Sequence, residues 1–190
     1  MKWTNSAQGY GWVSIGFHWL LAVAILGLFA LGVWMVELDY YSTWYHQAPE
    51  IHKSVGVLVM MAMIIRWGWN LAGGSPAPLV HQTGRVSAHW QRRAIKAVHW
   101  LLYLWVLALG VSGYLISTAE GHAVSVFGWF DVPVWIAPFD NQADLAGEVH
   151  EWLAYSLMGL VTLHLVGALK HHFINQDNTL KRMLLARQST

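Results

Sequence analysis

Four long apolar stretches constrain the fold of this 190-residue chain more than any other feature. Residues 13–36 and 97–117 contain no charged side chain, and residues 52–71 and 149–168 carry charges only near their ends. About 20 apolar residues in a helix suffice to cross a bilayer core. Charged residues make up 11% of the chain, compared with about 25% in soluble domains. The sequence therefore predicts an all-α integral membrane four-helix bundle, one membrane domain over residues 1–190 with spans at 13–36, 52–71, 97–117 and 149–168.

The charged residues divide between the two ends of these predicted spans. Ten of the eleven cations fall on one side, and nine of the ten acids fall on the other side with Lys53. The formal charges of the two sides are about +9 and −8. Cationic loops stay in the cytoplasm, so we expect both termini to be cytoplasmic.

Histidines lie at two depths within the predicted spans. His150 and His164 are fourteen residues apart on the fourth span, which is roughly 21 Å along a helix and nearly the same face. With the predicted topology, His52 and His150 lie in the outer half of the membrane. His18, His99 and His164 lie in the inner half and are three candidates for the two ligand positions of that layer. Histidines inside spans are costly, and a functional role is the first hypothesis.

The absence of cysteine limits the chemistry that these histidines can support. The chain cannot hold an iron–sulfur cluster, a thiolate-ligated haem or a covalent c-type haem. Zinc needs three or four protein ligands, whereas haem needs only two axial nitrogens because the porphyrin supplies the other four. Non-covalent b-type haem is therefore the better fit. The alternatives are hydrogen bonding between neutral imidazoles and a histidine-lined metal transporter.

Several glycines lie near these histidines in the sequence. Gly56, Gly159 and Gly167 are each within a few residues of a span histidine, and Gly110 and Gly113 pair on the third span. A flat macrocycle needs small residues where it approaches the backbone of a helix. Ordinary close packing of membrane helices also uses small residues, so both explanations remain open.

The histidine motifs resemble those of the bacterial cytochrome b561 family. The matching segments are FHWL in the first span, HKSVGVL at the start of the second, HWLLYLWVLALGVSGYL in the third, and HEWLA followed by a second histidine in the fourth. The tail ALKHHFINQDNTLKRML also resembles the end of that family's sequences. The resemblance covers nearly the whole chain and implies a four-helix bundle with two bis-histidine b haems.

Carried over residue by residue, the resemblance implies that His18 and His164 ligate the inner haem iron, and that His52 and His150 ligate the outer one. His99 matches a third-span histidine of related proteins and would contact a quinone, a propionate or a ligand rather than iron. Lys53, beside His52, and Arg92, in the inner basic cluster, are candidates for contacts with haem propionates or a quinone.

These features predict a di-haem cytochrome that carries electrons across the bacterial inner membrane between a periplasmic-side partner and the quinone pool. If it is an enzyme, its expected class is quinone-linked oxidoreductase. A superoxide oxidase that passes electrons to ubiquinone is an alternative, although a negative outer face repels an anion. A haem-bearing anchor subunit of a periplasmic dehydrogenase is another. The expected partners are membrane lipid, a quinone and a donor protein of basic charge, and no nucleic acid is expected.

Overall fold

Four long helices dominate the computed structural model of the chain, which describes residues 3–6, 9–74, 76 and 88–186. The helices are α1 (Trp12–Met35), α2 (Gln47–Gly73), α3 (Ala88–Thr118) and α4 (Gln142–Phe173), followed by a short α5 (Lys181–Leu184). Each of the four contains a window long and apolar enough to cross a membrane. The predicted fold class, an all-α membrane protein with four spanning helices, is confirmed.

Three of the helices begin more than a turn before the predicted spans, whereas α1 begins one residue before its span. The starts of α2, α3 and α4 precede residues 52, 97 and 149 and include polar and charged side chains. Hydropathy marks where a helix meets hydrocarbon, whereas a helix continues as long as its backbone hydrogen bonds are made. The acidic Asp144 in the first turn of α4 and the basic Lys170 in its last turn also suit the helix dipole.

The chain forms two compact units, each of which contains a segment of all four long helices. Unit 1 comprises residues 1–20, 64–104 and 157–190, and unit 2 comprises residues 21–63 and 105–156. Among the described residues, unit 1 contains seven of the eight cations and one of the ten acids, and unit 2 contains the remainder. Lys2, Arg85 and Arg187, which the topology prediction includes, lie outside the described residues.

Unit 2 contains a short β-hairpin that the sequence analysis does not predict. Strands β1 (Val124–Val126) and β2 (Phe130–Val132) pair antiparallel. Phe127, Gly128 and Trp129 connect them, and the Trp129 amide donates to the Val126 carbonyl at 2.8 Å. The φ angles of Phe127 and Gly128 are 50° and 70°, the positive values that a type I′ turn requires. Ser54 of α2 accepts a hydrogen bond from the Phe127 amide at 3.1 Å. This bond holds the hairpin against α2, two residues beyond His52.

The segment after α4 folds back within unit 1. His171 Nδ1 lies 2.5 Å from an Asp177 carboxylate oxygen, and the Thr179 amide donates to the other carboxylate oxygen at 2.8 Å. Trp19 of α1 donates its indole N–H to the Met183 carbonyl of α5 at 2.7 Å. These bonds connect the C-terminal segment to α1 and to the end of α4.

Candidate functional site

Two of the predicted site histidines face each other in unit 2. The rings of His52 on α2 and His150 on α4 have centroids 6.2 Å apart and planes inclined at 71°. Gly32 of α1 and Gly113 of α3 lie against these rings. A Cβ at Gly32 would lie 3.3 Å from Cε1 of His52, and a Cβ at Gly113 would lie 3.3 Å from Cε1 of His150. Glycine at both positions lets each imidazole approach the neighbouring helix.

The three inner candidates come together in unit 1 but in different arrangements. His18 of α1 and His164 of α4 have ring centroids 6.3 Å apart, with planes inclined at 62°. His99 of α3 meets the His164 ring edge-on, with centroids 5.2 Å apart. The Nδ1 of His99 donates to the Ile95 carbonyl of its own helix at 2.7 Å, and its side chain is exposed. The His18–His164 pair therefore has nearly the same spacing as the His52–His150 pair.

Both pairs have the spacing expected of imidazoles that share one metal ion. A metal–imidazole bond is about 2 Å long, so two rings on opposite sides of a metal ion have centroids about 6 Å apart. Two imidazoles are also the number of protein ligands that a haem takes when both axial positions are filled. Among the described residues, no three or more histidine, aspartate or glutamate side chains are arranged to hold a metal ion. The donor set in each unit therefore fits haem.

The other glycines differ in what surrounds them. A Cβ added at Gly56, Gly159 or Gly167 would meet no atom within 4 Å, so these positions leave room beside the helix backbone. A Cβ at Gly110 would collide with the side chain of Met60. Gly110 therefore serves close helix packing, whereas the other three suit the approach of a flat group.

Arg66 is a site residue that sequence reasoning missed. Its guanidinium donates to Nδ1 of His18 at 3.3 Å and lies 5.8 Å from the centre of the Tyr103 ring. Burial raises the pKa of the nearby Tyr10, although Arg66 opposes that effect. A charge within a span is itself a signal of function, whereas the topology prediction uses Arg66 only as one of the cations.

Ser112 of α3 is a second missed residue. Its side chain is buried, and its hydroxyl lies 2.9 Å from Nδ1 of His150. The Nδ1 of His52 is buried and has no hydrogen-bond partner among the described residues. A serine in an apolar stretch gives little signal, because its role depends on which helix faces it.

The tentative contact residues Lys53 and Arg92 lie on exposed positions. Lys53 of α2 lines a cavity of about 570 Å³ together with Tyr45, His46 and Glu50. Arg92 is exposed on α3, seven residues before His99.

The structure brings His52 together with His150, and His18 together with His164, His99 and Arg66.

Comparison with known proteins agrees with this combination of fold and histidines. A sequence model of the family described as prokaryotic cytochrome b561 matches residues 9–186. The chain is 52% identical over 184 residues to cytochrome b561 homolog 2 of Escherichia coli K12, covering 97% of this chain and 95% of that protein. It is 30% identical over 178 residues to cytochrome b561 homolog 1 of the same organism, with 92% and 96% covered.

A further relative has a name that states an activity. The chain is 29% identical over 177 residues to the probable superoxide oxidase CybB of Yersinia pestis, covering 92% of this chain and 95% of that protein. The family match over residues 9–186, together with the four membrane-spanning helices, identifies a membrane protein of the electron-transfer cytochrome class. The chain belongs to the prokaryotic cytochrome b561 family. It is a bacterial membrane protein, and its family implies b-type haem.

Proposed function

We propose that the chain is a di-haem b-type cytochrome that carries electrons across the bacterial inner membrane. His52 and His150 would hold one haem b, and His18 and His164 would hold the other. The observation that carries the proposal is the matched spacing of the two pairs, 6.2 Å and 6.3 Å between ring centroids. His150 and His164 also lie on one continuous helix, α4, fourteen residues or roughly 21 Å apart along its axis.

Each pair holds its cofactor and sets the electronic environment rather than binding substrate at the metal. When bound, haem supplies an iron that gains and loses one electron. The two histidines of each pair would hold the haem, so redox partners would exchange electrons at the periphery of the site. The protein tunes the reduction potential through hydrogen bonds, burial and nearby charges. Ser112 and Arg66 are the side chains that contact the proposed ligands in this way.

Arg66 responds directly to ligation of His18. A metal on Nε2 of His18 requires the ring proton on Nδ1, where the guanidinium now donates. Ligation therefore ends that hydrogen bond and frees Arg66 to bind an acidic group, such as a haem carboxylate. The buried Nε of Arg66, which has no partner among the described residues, would gain one in this way. Arg66 thus replaces the exposed Arg92 as our candidate for this contact.

The charges of the two units support an orientation and a set of partners. Unit 1 has most of the cations, and by the positive-inside rule we infer that it lies on the cytoplasmic side with both termini. His99, exposed beside His164, is our candidate for contact with a quinone. Unit 2 carries nine acids and one lysine, which suits a basic periplasmic donor protein or a neutral quinol.

Superoxide oxidation is a second candidate, favoured by the likeness to the probable superoxide oxidase. The acidic charge of unit 2 opposes it, because electrostatic steering changes the association rate of a charged ligand by about 10–10³-fold. Lys53 is the single cation of that unit. If superoxide is a substrate, replacement of Lys53 by glutamine lowers the rate of reduction.

The test is electron transfer by the purified protein without partners. A short-chain ubiquinol is added anaerobically to the oxidised protein, and a short-chain ubiquinone to the reduced protein, while the α-band of the haem is followed. The quinone-linked carrier predicts fast changes in at least one direction, slowed in His99→Ala. A superoxide-generating system replaces the quinol in a parallel sample, with superoxide dismutase as its control. Reduction only by superoxide supports the second candidate, and a lack of reaction with any of these favours an anchor subunit and overturns the carrier proposal.

A further inference from the structure

The Ser112 hydroxyl contacts both the His150 ring and a backbone carbonyl of its own helix. The Ser112 hydroxyl lies 3.1 Å from the Leu109 carbonyl and 2.9 Å from Nδ1 of His150. A hydroxyl has one proton to donate, and a carbonyl can only accept. Both bonds are therefore made at once only if Ser112 donates to Leu109 and accepts from an N–H at Nδ1 of His150. The neutral ring then has its lone pair on Nε2.

The two imidazoles of this pair are held in different ways. His150 has a hydrogen-bonded Nδ1, whereas the Nδ1 of His52 is buried with no partner among the described residues. The His52 ring instead packs against Gly32, where an added Cβ would lie 3.8 Å from that nitrogen. The orientation of His150 is fixed by hydrogen bonding, and that of His52 by packing alone.

We propose that Ser112 is a positioning residue that presents Nε2 of His150 as a strong metal ligand and thereby lowers the reduction potential of the haem in unit 2. This inference rests on the proposed function, since it requires a haem between His52 and His150. An acceptor at the second ring nitrogen fixes the tautomer of a ligating histidine and raises its basicity. A more basic ligand stabilises the oxidised iron, which carries the larger positive charge.

The test compares Ser112→Ala with a matched control on the same helix. Ser117 also donates to a carbonyl of α3, that of Gly113 at 2.8 Å, and no imidazole contact is present at its hydroxyl among the described residues. Ser117→Ala therefore removes the same atom without touching a proposed ligand. Ser112→Thr keeps a hydroxyl and serves as the rescue variant. Haem content and the two midpoint potentials are measured for all three variants by spectroelectrochemical titration of the purified protein.

In Ser112→Ala we expect the reduced-to-oxidised ratio of one haem to rise about three- to tenfold at fixed potential, the range of one hydrogen bond. A tenfold rise is a shift of 59 mV for one electron. The other haem of Ser112→Ala is expected to keep its wild-type potential. Ser117→Ala and Ser112→Thr are expected to keep the wild-type potentials of both haems. If Ser112→Ala loses one haem altogether, Ser112→Thr must retain it at the wild-type potential.

Two results would overturn the inference. An unchanged potential in a Ser112→Ala protein that retains two haems removes the role of Ser112 and leaves the di-haem proposal intact. Equal shifts in Ser112→Ala and Ser117→Ala would show a general effect of lost hydroxyls on α3. If the proposed function itself is wrong, the measurement differs, because the wild-type protein would then lack a haem that depends on His150.

Discussion

Replacement of Arg66 by glutamine is expected to lower the reduction potential of the haem between His18 and His164. Before ligation of His18, the guanidinium lies 3.3 Å from Nδ1 of that residue. After ligation ends that hydrogen bond, pairing with a haem carboxylate would keep its charge near the same site. A fixed positive charge favours the reduced iron, because reduction removes one unit of positive charge from the site. Glutamine keeps polar atoms at this position but removes the charge.

The size of this effect follows from Coulomb's law. The guanidinium lies beyond the far nitrogen of the His18 ring, so its charge is about 7 Å from the transferred electron. At an effective dielectric constant of about 20, a unit charge at that distance contributes about 2 kcal/mol. That energy corresponds to about 100 mV for one electron, since 59 mV is a tenfold change. A haem carboxylate paired with Arg66 halves the effect, so we expect a decrease of about 50–100 mV.

The assay is a redox titration of purified Arg66→Gln, Arg66→Lys and the control Arg93→Gln. Arg93 also belongs to unit 1, is exposed and lies over the Trp90 ring. Arg66→Lys keeps the charge and is expected to stay close to wild type, as is Arg93→Gln. A potential in Arg66→Gln within 20 mV of wild type, with both haems present, would refute the electrostatic role of Arg66. So would an equal fall in Arg93→Gln.

Three further predictions concern the ligands, a glycine and the C-terminal segment. His52→Ala is expected to lose one haem and His99→Ala to keep both haems, as counted by the pyridine haemochrome assay. Loss of a haem in His99→Ala would instead indicate that His99 is an iron ligand. Gly113→Val crowds His150, and because overpacking costs about 1–3 kcal/mol, haem affinity at that pair should fall about tenfold or more in a haem-transfer assay. Unchanged affinity would contradict the close packing of Gly113 against the His150 ring. Burial alone would raise the pKa of Asp177, but hydrogen bonds from Thr179 and His171 lower it. The ionised Asp177 carboxylate therefore stabilises the tail above about pH 4, and this stabilisation is lost below that pH as the carboxylate is protonated. Proteolysis should cut the tail faster at pH 3 than at pH 6. Asp177→Asn should be cut quickly at both pH values.

Hydropathy predicted the four long helices because the cost of exposing the backbone to lipid leaves few alternatives. It did not predict the helix ends, since α3 begins among residues that are polar and charged yet keep helical hydrogen bonding. The hairpin was also missed. Its strands have three residues each, and its turn places Phe127 at a positive φ that few non-glycine residues adopt.

The histidines of the candidate site were recognisable because their periodicity and depth can be read along single helices. Arg66 and Ser112 were not, because each acts on a ring from a different helix. Arg66 of α2 reaches His18 of α1, and Ser112 of α3 reaches His150 of α4. Such contacts depend on the rotation of neighbouring helices, which hydropathy and spacing do not specify. The sequence likewise left His99 as a third inner candidate. Its ring meets that of His164 edge-on with centroids 5.2 Å apart, whereas the centroids of His18 and His164 are 6.3 Å apart.

The most direct test of the account is the number of haems that each histidine pair holds. A dithionite-reduced minus oxidised spectrum with pyridine haemochrome quantification is measured for purified wild type, His150→Ala and His164→Ala. The account predicts two low-spin b haems per wild-type chain and one in each variant, with different midpoint potentials for the remaining haem. A single haem in wild type, or two haems retained in either variant, would contradict the assignment of one haem to each pair.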